Sequence, residues 1–137
     1  MQPAFGFREH AHTADWELEV WAPDIASLLE QAARGMYALS GLRMQTGSPQ
    51  ERRIILQAAD AESLLVRFLT ELLWFEQQQG LGFTDFTIQV DEQCSLLADL
   101  SGHAITNLDK EIKAVTYHNL AVQSSISGLR VNIVFDV

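Results

Sequence analysis

The first regular pattern in the chain is Trp16-Glu17-Leu18-Glu19-Val20-Trp21, which places Trp16, Leu18 and Val20 on one face and Glu17, Glu19 and Trp21 on the other. Alternation with a period of two predicts a half-buried strand. Phe5 and Phe7, alternating with Gly6 and Arg8, predict a shorter strand before it. Pro23-Asp24 stops the run, and Asp24 is placed to cap a helix. Ile25, Leu28, Leu29, Ala32, Met36 and Leu39 then recur at helical spacing, predicting a helix over 25–38 that Ser40-Gly41 ends. Gly35 inside that helix costs about 1 kcal/mol relative to alanine. Close packing of another element there is the expected reason. Thr46-Gly47-Ser48-Pro49 reads as a loop.

The second half opens with Arg52-Arg53-Ile54-Ile55-Leu56-Gln57-Ala58-Ala59, a polar entry into an apolar strand. Asp60 caps a second helix, with Glu62 in its first turn where the helix dipole favours negative charge. Its apolar stripe, Leu64 to Phe75, is wide and faces a core, and Gln77-Gln78-Gln79-Gly80 ends it. Phe83 to Val90 and Cys94 to Leu100 predict two strands joined by Asp91-Glu92-Gln93. Gly102 to Asp109 reads as a connection. The latter part of Val115 to Val122 is expected to be a strand, Ser124 to Gly128 a turn, and Leu129 to Phe135 a final strand. The element order predicts one α+β domain over 1–137. Its expected form is two-layered, with two helices on one face of a mostly antiparallel or mixed sheet.

Composition narrows the function. A net charge of −9 argues against direct binding of RNA or DNA, since affinity for phosphates comes from Lys and Arg, and instead suits a basic partner or cations. No apolar run approaches the ~20 residues needed to cross a bilayer, so no membrane role is expected. The N-terminal residues lack a basic segment followed by an apolar one, so no signal peptide is expected and cytoplasm is the default location. A single cysteine, Cys94, excludes an internal disulfide framework and is expected as a buried small hydrophobe in a strand.

The candidate chemistry lies at two distant places. Asp15 precedes the first strong strand, while Asp136 and Val137 end the last one. If those strands pair, carboxylate and main-chain oxygens converge, a donor set suited to calcium, magnesium or manganese and unsuited to zinc. The alternative is two surface aspartates at strand ends. His10 and His12 share a strand face and, with a carboxylate, would suit zinc or iron, but no third nitrogen or sulfur ligand is identifiable. His12 can instead orient Asp15. No Gly-x-Ser-x-Gly elbow and no phosphate-binding glycine loop occurs.

Five segments in order carry a resemblance: His12-Thr13-Ala14-Asp15, Ala32-Ala33-Arg34-Gly35-Met36, Leu64 to Leu73, Lys113-Ala114-Val115-Thr116-Tyr117-His118 and Phe135-Asp136-Val137. Together they make the chain resemble the archease family over nearly its whole length. The resemblance implies a small α+β fold and a non-enzymatic role as a protein cofactor of RtcB-type RNA ligases, in tRNA splicing or RNA repair. It implies that the ligase binds GTP and becomes guanylylated on its own histidine, and that RNA is met only through the ligase. It implies a divalent-metal site at Asp15, Asp136 and Val137, with calcium, manganese or magnesium as the ion. Lys113, Tyr117 and His118 are then expected to face the partner or to be structural, with His12 behind the metal. One departure stands out. The family commonly has an aspartate in the turn that here reads Tyr37-Ala38-Leu39-Ser40, leaving Asp24 and Asp99 as candidate substitutes. Two other functions remain open: a stand-alone metal-dependent phosphoesterase using the same carboxylates, and a small chaperone or adaptor without a metal.

Overall fold

The computed structural model describes residues 2–10 and 16–137. Among them the order is β1 (Gly6–His10), β2 (Trp16–Ala22), α1 (Ile25–Ser40), β3 (Arg43–Met44), β4 (Gln50–Gln57), α2 (Ala61–Gln79), β5 (Leu81–Val90), β6 (Ser95–Asn107), β7 (Ala114–Val115), β8 (Gln123–Ser125) and β9 (Gly128–Asp136). The architecture is α+β, as expected, but the strands divide into two sheets. One has the order β1-β2-β9-β7, with β8 also on β9; in the other, β3, β4 and β5 all pair with β6. Every pairing among the described residues is antiparallel.

The helices join the two sheets. α1 packs on β1, β2 and β9 of the first sheet and on β5 of the second, while α2 packs on β4, β5 and β7. One hydrophobic cluster therefore takes Leu18, Val20 and Phe135 from the first sheet, Phe83 and Leu100 from the second, and Leu28, Phe68 and Leu72 from the helices. The predicted caps are present. Asp24 and Asp60 accept the backbone N–H of Ser27 and Ser63 at 2.8 Å, and Gly41 and Gly80 close the helices in the left-handed region. Gly35 has the reason expected of it: a Cβ there would lie 2.6 Å from Leu18 Cδ2 and 2.9 Å from Phe7 Cγ.

Three expectations are corrected. Gly102 to Asn107 is not a connection but the second half of β6, whose backbone pairs with β5 and β3. The strand expected late in Val115–Val122 lies at its start, in β7; Tyr117 to Leu120 form a turn in which Leu120 N–H donates to Tyr117 O and Asn119 has φ 51°. Cys94 is neither in a strand nor fully buried. It occupies the β5–β6 turn with φ 58°, where Asp91 Oδ1 accepts from the flanking Gln93 and Ser95 N–H groups.

Helical spacing alone did not mark Glu76 as buried. It sits in the last turn of α2 with 8% of its surface exposed. Burial, and then the nearby charge of Glu111, push its carboxyl up to about 7. Because the folded state favours the protonated acid, Glu76 costs least below an ordinary carboxylate pKa, and its cost grows as pH rises through about 7. Glu76→Gln should therefore raise the melting temperature at pH 8 and change it little at pH 4.5. An equal shift at both pH values would contradict that origin.

Candidate functional site

The expected pairing of the two strand ends is present. β2 and β9 run antiparallel with Trp16 opposite Phe135, so Trp16, where the described residues resume, lies beside the end of β9. On the other side of β9, Val115 lies opposite Phe135 and Ala114 opposite Asp136. Phe135 is fully buried, which fixes the strand end in the core. Asp136, next along, turns to solvent by the period-two rule. Its carboxylate takes no hydrogen-bond or ion-pair partner among the described residues. Val137, the residue after it, is half-buried and packs against the core. Asp15 and His12 lie outside the described residues.

The segment from Lys113 to His118 is fastened along this end. Lys113 N–H donates to Asp136 O at 2.8 Å. Thr116 gives both its N–H (3.0 Å) and its hydroxyl (2.9 Å) to Val134 O. His118 N–H in turn donates to Thr116 Oγ1 at 3.3 Å, and the His118 ring lies 3.3 Å from the Asn119 amide. Tyr117 is 58% exposed. At the start of α2, Glu62 accepts Val122 N–H at 2.7 Å and so ties down the far end of the loop. Helical spacing placed Glu62 in the first turn; this second contact had no signal in the sequence. Lys113, Tyr117 and His118 therefore sit on a loop held to the strand that carries Asp136.

Both lysines of the chain belong to this region. Lys110 places its ammonium 4.7 Å from the centre of the Trp16 ring, and Lys113 is exposed with no partner among the described residues. All seven arginines, by contrast, are engaged: Arg8 and Arg130 on Glu19, Arg34 on Glu30, Arg43 on Asp109, Arg52 on Gln79, Arg53 on Asp99 and Arg67 on Gln57 O. His10 is engaged too. Its Nε2 lies 3.0 Å from Glu19 Oε1, on the face where Arg8 and Arg130 converge. Burial pushes the Glu19 carboxyl up, but bonds from His10 and Arg130 and the charges of Arg130 and Arg8 outweigh it and hold it below its usual range. His10 is thus occupied by a carboxylate network on the sheet.

The end of α1 reaches the same region. Ser40 O accepts Asp109 N–H (2.9 Å) and Lys110 N–H (3.1 Å), so the Tyr37–Ser40 turn lies under the loop that leads to Lys113. Neither candidate substitute is there. Asp24 caps the opposite end of the 16-residue α1, about 24 Å away at 1.5 Å per residue. Asp99 is held by Arg53 at 2.8 and 3.2 Å in the second sheet.

Among the described residues no group of three or more His, Cys, Asp or Glu side chains converges. The donors at the β9 end are the Asp136 carboxylate, unpartnered among the described residues, and the main-chain oxygens of Val137. They are hard oxygen ligands, and they fit calcium, magnesium or manganese on chemistry.

A family model described as the Archease protein family (MTH1598/TM1083) matches residues 7–137. This chain belongs to the archease family. Among curated archease proteins it is 29% identical to that of Methanosarcina mazei, over 92% of each chain, and 27% identical to that of Methanothermobacter thermautotrophicus, over 96% of this chain and 99% of the other. The archease fold is seen again in the solution structure of Methanobacterium thermoautotrophicum protein 1598, with TM-score 0.74 and 23% identity over 96% and 99% of the two chains. It recurs in the crystal structure of an archease, described as a possible chaperone, from Thermotoga maritima, with TM-score 0.68 and 20% identity over 100% and 97%. These archease names are not enzyme names. No helix among the described residues is long and apolar enough to cross a membrane.

Proposed function

We propose that this archease-family chain activates an RtcB-type RNA ligase, promoting its GTP-dependent guanylylation and repeated turnover in tRNA splicing or RNA repair. One observation carries the reading. Two motif segments far apart in sequence, Lys113–His118 and Phe135–Val137, lie hydrogen-bonded side by side at one end of a sheet. The partner class is what the archease resemblance of the sequence implies, and membership of that family supports carrying it over.

In this reading Asp136 and Val137, with Asp15 from the segment joined to Trp16, hold a divalent cation. Asp15 immediately precedes Trp16 in the chain, and Trp16 pairs with Phe135, the residue before Asp136. When bound, the cation supplies positive charge for the anionic groups of the ligase centre. The chain's own residues do the positioning. Ile112 and Phe135 anchor the loop and the strand in the core, and Lys113, Tyr117 and His118 present charge and hydrogen-bonding groups to the ligase. GTP binds the ligase, and RNA meets this chain only through it.

The test is capture from the native host with a tag placed before Met1. An RtcB-type ligase should be recovered as a principal partner, and its absence would contradict the reading. A chaperone or adaptor role is the second reading, favoured by the Thermotoga relative's description as a possible chaperone. It predicts partner binding that survives removal of divalent ions.

A further inference from the structure

We propose that the groove between α2 and β7 is a docking strip for an acidic-hydrophobic protein segment of the ligase; this rests on the ligase reading above. Thr70, Trp74 and Gln77 share one face of α2 by their helical spacing. That face meets Lys113, Ala114 and Val115 across a cavity of about 190 Å³.

Trp74 is the anchor. It is 48% exposed on a helix that buries its other aromatic residues, Phe68 and Phe75. Its ring stands edge-on to Phe75, with centroids 5.1 Å apart, and Phe75 stands edge-on to buried Phe83 at 5.4 Å. The exposed ring is therefore backed by the core and costs little ordering on binding. Half-buried tryptophans of this kind are the residues that most often dominate binding energy. Lys113 sets the charge of the occupant. It is unpaired among the described residues, whereas all seven arginines have intramolecular partners. A carboxylate beside an apolar side chain satisfies both ends of the groove. Among the described residues β7 is hydrogen-bonded to β9 alone, so the strip also borders a strand edge. A net charge of −9 disfavours RNA and suits a basic partner overall, so a carboxylate is needed only where the occupant meets Lys113. The strip begins at Lys113 and Ala114, the residues paired with Asp136, and so continues the metal-end surface.

The experiment is calorimetric titration of full-length chain into purified RtcB-type ligase, with thermal melts confirming that each variant folds. Trp74→Ala should weaken binding by about tenfold or more, and Trp74→Phe should restore most of it. Trp74→Ala binding within twofold of the unsubstituted chain would overturn the docking strip while leaving the ligase reading intact. If the unsubstituted chain binds no ligase, the ligase reading fails and the strip falls with it. Binding of a single-stranded RNA by the chain alone, lost in Trp74→Ala, would also overturn the proposal, in favour of a nucleic-acid surface.

Discussion

Asp136→Ala should abolish most of the stimulation of ligase turnover, by about tenfold or more, while leaving the melting temperature nearly unchanged. The two halves of this expectation have separate physical grounds. The carboxylate is exposed and unpartnered among the described residues, so the fold does not use it, and surface changes of this kind shift stability by about 0.5 kcal/mol or less. The backbone at 136 does matter to the fold, because its carbonyl takes the Lys113 N–H, but alanine keeps that bond. Any loss of function is then a loss of the oxygen ligand. Asp136→Asn should fall between, since an amide oxygen still coordinates but without charge. In the 137-residue chain, a peptide appended after Val137 should mimic Asp136→Ala more closely than the same peptide before Met1. Equal stimulation by all four proteins would take the β9 end out of the mechanism.

The largest expected effect on folding is at a residue of no chemical interest. Gly102→Ala should destabilise the protein by at least about 2 kcal/mol, which for a domain near this size lowers the melting temperature by at least about 6 °C. An added Cβ would lie 1.8 Å from Gly82 O and 2.7 Å from Phe83 Cα. Both are backbone atoms of the paired strand β5, next to its irregularity between Phe83 and Asp85, so no side chain can swing aside to make room. Gly80→Ala provides the contrast. Its position has open space but φ 59°, so the cost there is conformational, about 1 kcal/mol. A thermal melt of the two variants separates space from backbone conformation. Equal, small losses would contradict the close approach at Gly102.

Those glycines also explain which parts of the fold were legible in the sequence. Where side chains carry a period, as in Trp16–Trp21 or Leu64–Phe75, strand and helix followed directly, and Asp24 and Asp60 marked helix starts. Gly102 looks like a breaker in sequence, yet it lets two backbones touch, so the strand that runs through it to Asn107 was read as a connection. Val115–Val122 erred in the opposite direction. β-branched and aromatic residues suggested a strand in its latter part, but Thr116 gives its hydroxyl and its N–H to the same Val134 carbonyl, and Asn119 turns the chain back. The division into two sheets had no local signal, because pairing partners are set by tertiary packing.

At the candidate site, the pairing of the β2 and β9 ends was the part legible in the sequence. Asp136 and Val137 sit where alternation along β9 put them, next to the β2 end. The nearness of Lys113–His118 to this strand end had no signal in the sequence; it follows from the β7–β9 pairing. Asp24 and Asp99, attractive as spare carboxylates, are committed to a helix cap and an arginine. Glu62 and Glu76 became informative only once their surroundings were known, since burial and the partner N–H of Val122 are properties of packing.

The central claim, that this archease-family chain promotes another protein's chemistry from its β9 end, is tested most directly by ligase guanylylation. Purified RtcB-type ligase, GTP and manganese are mixed with and without the 137-residue chain, and covalent guanylate and ligated RNA are followed in time. Guanylylation should accelerate and ligation should pass from about one turnover per ligase to many, with Asp136→Ala giving little of either. Unchanged guanylylation and turnover on adding the folded chain would contradict the account.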